Sequence, residues 1–181
     1  MKKVFNFKSL AMIIAMISAM SMVSCVQEPT ANQQGSNTPT TDTIVSATVA
    51  FDTQIKEGTI KLYDIVATIT IDKETIETPI TDSTWTYEKT FTKDIPSKVS
   101  CKIVGTLKNP LPEITEESLK MGSNNHSHVS VVRSNNKETS LSPSVSSSDI
   151  SGTITIGKDK IEEYISKYPT KNIMTAEYEI K

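Results

Sequence analysis

The sequence predicts a mostly β fold, an antiparallel β-sandwich with one short helix in its C-terminal half. Three observations lead there. Thr, Ser, Ile and Val are abundant while Gly (6) and Phe (4) are scarce, and branching at Cβ suits a pleated, half-buried surface better than a helix. From Thr43 onwards apolar residues recur at every second position, which leaves one face dry and one wet, as in antiparallel sheets. Turn signals separate the runs at intervals of about 12 to 18 residues, the rhythm of a two-sheet sandwich.

The first run places Val45, Ala47, Val49 and Phe51 on one face, opposite Ser46, Thr48 and Asp52. Lys56-Glu57-Gly58 reads as a turn, after which Tyr63, Ile65, Ala67, Ile69 and Ile71 repeat the alternation. Beyond the turn at Asp72-Lys73, Thr75–Ile80 is a short strand that Pro79 confines to a sheet edge, since proline cannot donate to a ladder. Asp82-Ser83 leads into Trp85, Tyr87 and Phe91, with Lys89 as the one polar residue in that series. Asp94-Ile95-Pro96 then leads into Val99, Cys101, Ile103, Gly105 and Leu107. This spacing suits an immunoglobulin-like arrangement in architecture only, because the inter-sheet disulfide and its companion tryptophan pattern are missing.

The second half is less regular. Residues 109–125 carry Pro110 and Pro112 and read as a loop, with one helical turn at Thr115–Ser118. His128–Arg133 is a strand through Val129 and Val131, and the Ser-rich Asn135–Asp149 is a long surface loop. Gly152–Gly157 is a further strand. The helix follows, with Ile161, Tyr164, Ile165 and Tyr168 at helical spacing and Pro169 ending it. Asp159 is positioned to cap its amides while Glu162 reaches back, a capping box. Met174, Ala176, Tyr178 and Ile180 alternate again as a closing strand.

The N-terminus has a different character. Lys2, Lys3 and Lys8 precede Leu10–Met22, an uncharged apolar run of 13 residues. It is shorter than the roughly 20 residues of a spanning helix and matches a signal-peptide core. Met22-Val23-Ser24-Cys25 closes it. The segment resembles the export signal and lipobox of bacterial lipoproteins, with Met22 where leucine is commoner. The resemblance covers residues 1–25 and implies cleavage after Ser24 and acylation of Cys25. Residues 1–24 are then the signal peptide, 25–42 the lipidated cysteine and a tether, and 43–181 the folded domain. Two or three acyl chains hold a protein firmly to a bilayer, each buried methylene contributing about 0.8 kcal/mol. Val26, where an aspartate would favour inner-membrane retention, makes the outer membrane the expected location. The tether VQEPTANQQGSNTPTTD has too little apolar surface to offset its chain entropy, and 17 such residues average about 20–25 Å end to end.

Charge narrows the partners. Net charge is −2, and loss of Met1–Ser24 takes three of the 19 basic residues and none of the 21 acidic ones, leaving about −5. Arg133 is the only arginine. Nucleic-acid binding needs clustered cations and is not expected. The expected partners are the membrane, through Cys25, and a glycan or another envelope protein.

No motif marks a catalytic centre. His126-Ser127-His128 puts two imidazoles on one side of an extended segment, a weak metal candidate because zinc takes three or four ligands. Exposed loop histidines are the plainer reading. Cys101 shares a face with Val99 and Ile103 and reads as a core thiol. Glu116-Glu117 and Glu162-Glu163 are adjacent in sequence, so on a helix they diverge and form no acid–base couple. Trp85 and Tyr87 could offer a sugar-stacking platform, but alternation assigns them to the core. Asp42-Thr43-Ile44 and Asp82-Ser83-Thr84 resemble the short sequon at which some Gram-negative envelope proteins are O-glycosylated, on Thr43 and Ser83. No glycine-rich phosphate loop or serine-hydrolase framework is present, and no cofactor is implied. The leading expectation is a lipid-anchored envelope protein, a non-catalytic binding or structural module. The alternatives are a metal-dependent hydrolase using His126 and His128, and a fimbria-like surface subunit with Met174–Ile180 as its donor segment. Loops 109–127 and 135–149 are the expected contact regions.

Overall fold

Alternation along the chain becomes two antiparallel sheets packed face to face. The computed structural model describes residues 42–181, so Cys25 and nearly all of the expected tether lie outside the described residues. Ten strands follow in order: β1 (Ile44–Ile55), β2 (Tyr63–Ile71), β3 (Glu74–Ile80), β4 (Thr84–Phe91), β5 (Lys98–Leu107), β6 (Ser118–Arg133), β7 (Glu138–Leu141), β8 (Val145–Ser147), β9 (Gly152–Gly157) and β10 (Thr170–Glu179). Two short helices join them, α1 (Glu57–Leu62) and α2 (Ile161–Lys167). One sheet runs β4-β1-β6, with β7 and β9 sharing the outer edge of β6, and the other runs β3-β2-β5-β10-β8. The molecule is a β-sandwich.

The inner faces supply one apolar core. Val49 and Phe51 of β1 meet Ile69 of β2, Ile103 of β5 and Tyr178 of β10, all fully buried. Each such side chain contributes about 1.5–3 kcal/mol on leaving water. Pro79 lies on edge strand β3, where a missing N–H costs no ladder bond. The β2–β3 turn puts Asp72 at φ 51°, a conformation that Asp tolerates. Its carboxylate accepts the Ser97 N–H (2.9 Å), the Ser97 hydroxyl (2.8 Å) and the Lys98 N–H (3.0 Å). Those bonds hold the Asp72 carboxyl below the usual aspartate range, the Ser97 hydroxyl most of all.

Several expectations need correction. Val45 is 44% exposed, because the β1–β6 register shifts between Ile44 and Ser46 and the extra residue leaves the buried face. Lys56-Glu57-Gly58 is not a simple turn but the entry to α1. Glycine is required there because a Cβ on Gly58 would lie 2.6 Å from the Lys120 carbonyl oxygen. Thr115–Ser118 forms no helical turn, and Ser118 opens β6, of which the expected His128–Arg133 strand is only the end. Asn135–Asp149 is not one loop, since it contains β7 and β8. The capping box does not form. A 3₁₀ turn at Lys158–Lys160 precedes α2, so Asp159 sits within helical structure and no side chain caps the helix.

Candidate functional site

The middle of β6 departs from the pattern that builds the rest of the core. Its inward series reads Val131, Val129, Ser127, Asn125, Ser123, Met121, Leu119, with three polar residues between two apolar pairs. Each polar group has found a partner. The Ser127 and Tyr178 hydroxyls bond at 2.8 Å. Asn125 Oδ1 accepts the Thr53 hydroxyl at 2.6 Å, while Nδ2 donates to the Ile173 carbonyl at 2.6 Å. The Ser123 hydroxyl donates to the Ile150 carbonyl at 3.3 Å. A buried network of this kind is tolerated only when its members are satisfied, and it then fixes one arrangement of the strands around it.

The outer edge of the same stretch is open. β9 pairs with Ser118–Gly122 and β7 with Val129–Val132. Between them the chain leaves this sheet, and β8 pairs with Glu177–Thr175 of β10 on the opposite one. Backbone parity shows what the gap exposes. Lys56 donates its N–H to the Gly122 carbonyl (3.0 Å), so even-numbered β6 residues turn their backbone groups towards β1. Odd-numbered residues turn away: Arg133 N–H reaches the Lys137 carbonyl (3.0 Å) and Ser123 N–H the Ile150 carbonyl (2.9 Å). The register with β1 runs without a shift from Val132 to Ser123. Asn125 and Ser127 therefore direct their N–H and C=O groups into the gap, where no strand pairs with them among the described residues.

A cavity of about 310 Å³ occupies this window, walled by Asn125, Ser127, Ser146, Ser147, Ser148 and Thr175, with His126 at its rim. Hydroxyls and an amide dominate its surface, and His126 is the one titratable side chain lining it. Two bonds brace the wall: the Ser148 hydroxyl donates to the Ile173 carbonyl (2.6 Å) and Asn172 Nδ2 to the Ser147 hydroxyl (3.1 Å). Chemically the window can donate and accept hydrogen bonds to an uncharged polar ligand. Among the described residues, the hydrogen bond that His126 makes is to Asp52, and that of the Ser127 hydroxyl is to Tyr178.

No family model, curated protein or solved structure matches the chain.

The residues singled out from the sequence are scattered. His126 and His128 lie on the outer face, where His126 Nδ1 is 3.1 Å from Asp52 Oδ2 on the neighbouring strand. Among the described residues no three His, Cys, Asp or Glu side chains come together as metal ligands. Cys101 is fully buried, and burial pushes its thiol up to about 12. It is chemically quiet at neutral pH. Trp85 and Tyr87 are half-buried against the core, Tyr87 stacked 6.4 Å from Phe51. Thr43 and Ser83 are both exposed and outside strands, open to modification. Glu116 is held by Lys61 Nζ at 2.6 Å, which keeps its carboxyl below the usual glutamate range. No helix among the described residues is long and apolar enough to cross a membrane.

The sequence reading placed Asn125 and Ser127 in a loop and missed the window. One signal could have revealed them: the alternation of Val131 and Val129 continues through Met121 and Leu119 if polar residues are allowed to face inwards.

Proposed function

We propose that the chain is a lipid-anchored cell-envelope protein, acylated on Cys25, whose β-sandwich is a non-catalytic binding module for a neutral, hydroxyl-rich ligand such as a glycan segment. The outer membrane is its location in this reading, and the tether gives the domain reach from the bilayer. One observation carries the ligand class. The window on β6 presents hydroxyl, amide and backbone groups and almost no charge, which matches the donors and acceptors of an uncharged sugar. Trp85 packs against the core and lies outside this wall, so recognition would rest on hydrogen bonds and not on ring stacking.

The test uses the purified full chain, labelled for NMR and titrated with neutral chito- and malto-oligosaccharides. The Asn125 and Ser127 amides should shift saturably with at least one of them. Ser146, whose hydroxyl makes no hydrogen bond within the described residues, allows the window to be filled as Ser146→Trp, and that variant should lose the response. Unchanged spectra with every oligosaccharide, or shifts confined to another surface, would remove the glycan reading. The anchor is tested separately by mass spectrometry of the mature N-terminus. An unmodified Cys25 on freely soluble protein would contradict it.

A further inference from the structure

A second cavity lies where α2 covers one end of the sandwich, and its chemistry differs from that of the window. Lys171 lines it, on an inward position of β10 opposite Gly105. The residue is only 4% exposed; its ammonium makes no hydrogen bond or ion pair among the described residues, and the nitrogen itself is not fully enclosed. It rests instead on aromatic faces, 3.3 Å from the ring centroid of Tyr168 and 5.0 Å from that of Tyr164. Such faces attract the cation without satisfying its three N–H donors. The Tyr164 hydroxyl is buried with no hydrogen-bond partner among the described residues. Two unpaired donors therefore border one cavity of about 140 Å³.

Paired buried polar groups are the rule, and a buried hydroxyl without a partner is unfavourable. An acceptor between Lys171 and Tyr164 would pair the buried hydroxyl and engage a free donor of the ammonium. The charges around the cavity limit its nature. Asp149 also lines it, but one carboxylate oxygen is taken by the Asn172 N–H at 2.8 Å. That negative charge disfavours a dianion, while Lys167, 5.3 Å from the Tyr168 ring on α2, adds positive charge nearby. Met121, Ile150 and Ile154 form an apolar part of the wall. The space equals about four or five waters at their liquid volume of roughly 30 Å³ each.

We propose that this cavity binds a small monocarboxylate of two to four carbons, its carboxylate held by the Lys171 ammonium and the Tyr164 hydroxyl and its alkyl end against Met121, Ile150 and Ile154. Burial lowers the Lys171 pKa from the ordinary lysine value, Asp149 opposes that shift and Lys167 adds to it. An arriving carboxylate would favour the charged form further. The site shares neither ligand chemistry nor key side chains with the window, so each stands or falls alone.

The experiment follows thermal unfolding of the full chain in sodium propionate against sodium chloride at equal ionic strength. Propionate should stabilise the protein saturably. Lys171→Met, which keeps the length of the stem, should abolish the effect. Tyr164→Phe, which keeps the ring, should weaken binding about tenfold, the effect of one lost hydrogen bond, and serves as the decisive variant if Lys171→Met does not fold. Absence of a saturable propionate effect on the parent chain would overturn the proposal, as would an unchanged response in both variants. Equal stabilisation by inorganic phosphate would overturn the carboxylate assignment.

Discussion

β5 and β6 are both interior strands, and they have been put to different use. β5 is paired along its length, by β2 on one side and β10 on the other. Its inward positions Val99, Cys101 and Ile103 are fully buried and apolar. β6 is paired continuously only with β1, and its inward positions turn polar where its other edge opens. A strand with complete neighbours can devote its inner face to packing. One with an interrupted neighbour must satisfy exposed backbone, and the polar residues that surround the gap form a cavity with chemistry in its walls. Apolar packing is therefore concentrated around β5, and the unpaired edge with its polar wall around β6.

The largest effect expected is at the bend of β6. Gly122 has φ 134°, and a Cβ there would lie 2.0 Å from the Gly152 carbonyl oxygen. Gly122→Ala should cost about 4 kcal/mol in urea unfolding, through backbone strain and a clash that no rotamer relieves. Gly105→Ala on β5, whose Cβ would meet Tyr63 Cβ at 3.1 Å, should cost about 1–2 kcal/mol as a packing adjustment. Equal costs would erase the contrast between the two strands.

Next come the two inner faces. Ile103→Ala should lose about 3 kcal/mol, the transfer and cavity cost of a fully buried aliphatic side chain. Asn125→Ala should lose about 2 kcal/mol, because Thr53 and the Ile173 carbonyl are left without their partner. Calorimetric or urea unfolding measures both. A neutral Asn125→Ala would mean that the polar network contributes nothing to holding β6 in place.

Much of this contrast was legible in the chain. β1, β2 and β5 could be placed because their period-two alternation is unbroken over most of their length, and the helix at Ile161–Lys167 because Ile161, Tyr164 and Ile165 recur at its period. What escaped had physical causes. α1 contains Gly58 and only six residues, too weak a helix by propensity. Tertiary contact holds it, the Thr59 hydroxyl accepting the Gly122 N–H at 2.9 Å. Lys171 was hidden by a bulge. From Met174, Ala176 and Tyr178, parity assigns an odd-numbered residue to the outer face, but the register slips between Asn172 and Met174 and turns Lys171 inwards. The window residues were hidden because a polar inward face looks like a loop when hydrophobicity is the only guide.

Two smaller effects sharpen the picture at β5 and its entry. The Cys101 thiol, pushed up to about 12 by burial, should resist iodoacetamide at pH 8 in native protein and react once urea exposes it. Rapid native labelling would show that β5 opens locally. At the β2–β3 turn, hydrogen bonds from Ser97 and Lys98 hold the Asp72 carboxyl below the ordinary aspartate value. Its contribution to stability is present above that value and is lost as pH falls through the depressed folded-state pKa. Asp72→Asn should flatten that part of the acid-unfolding profile, and an unaltered profile would assign acid sensitivity to other carboxylates.

Residue-resolved amide hydrogen exchange along β6 tests the open edge most directly. The account predicts an alternating record, with Asn125 and Ser127 exchanging much faster than Asn124 and His126, whose backbone groups face β1. Uniformly slow exchange from Ser123 to Val129 would mean that the edge is covered, and the window with its proposed ligand would have to be abandoned.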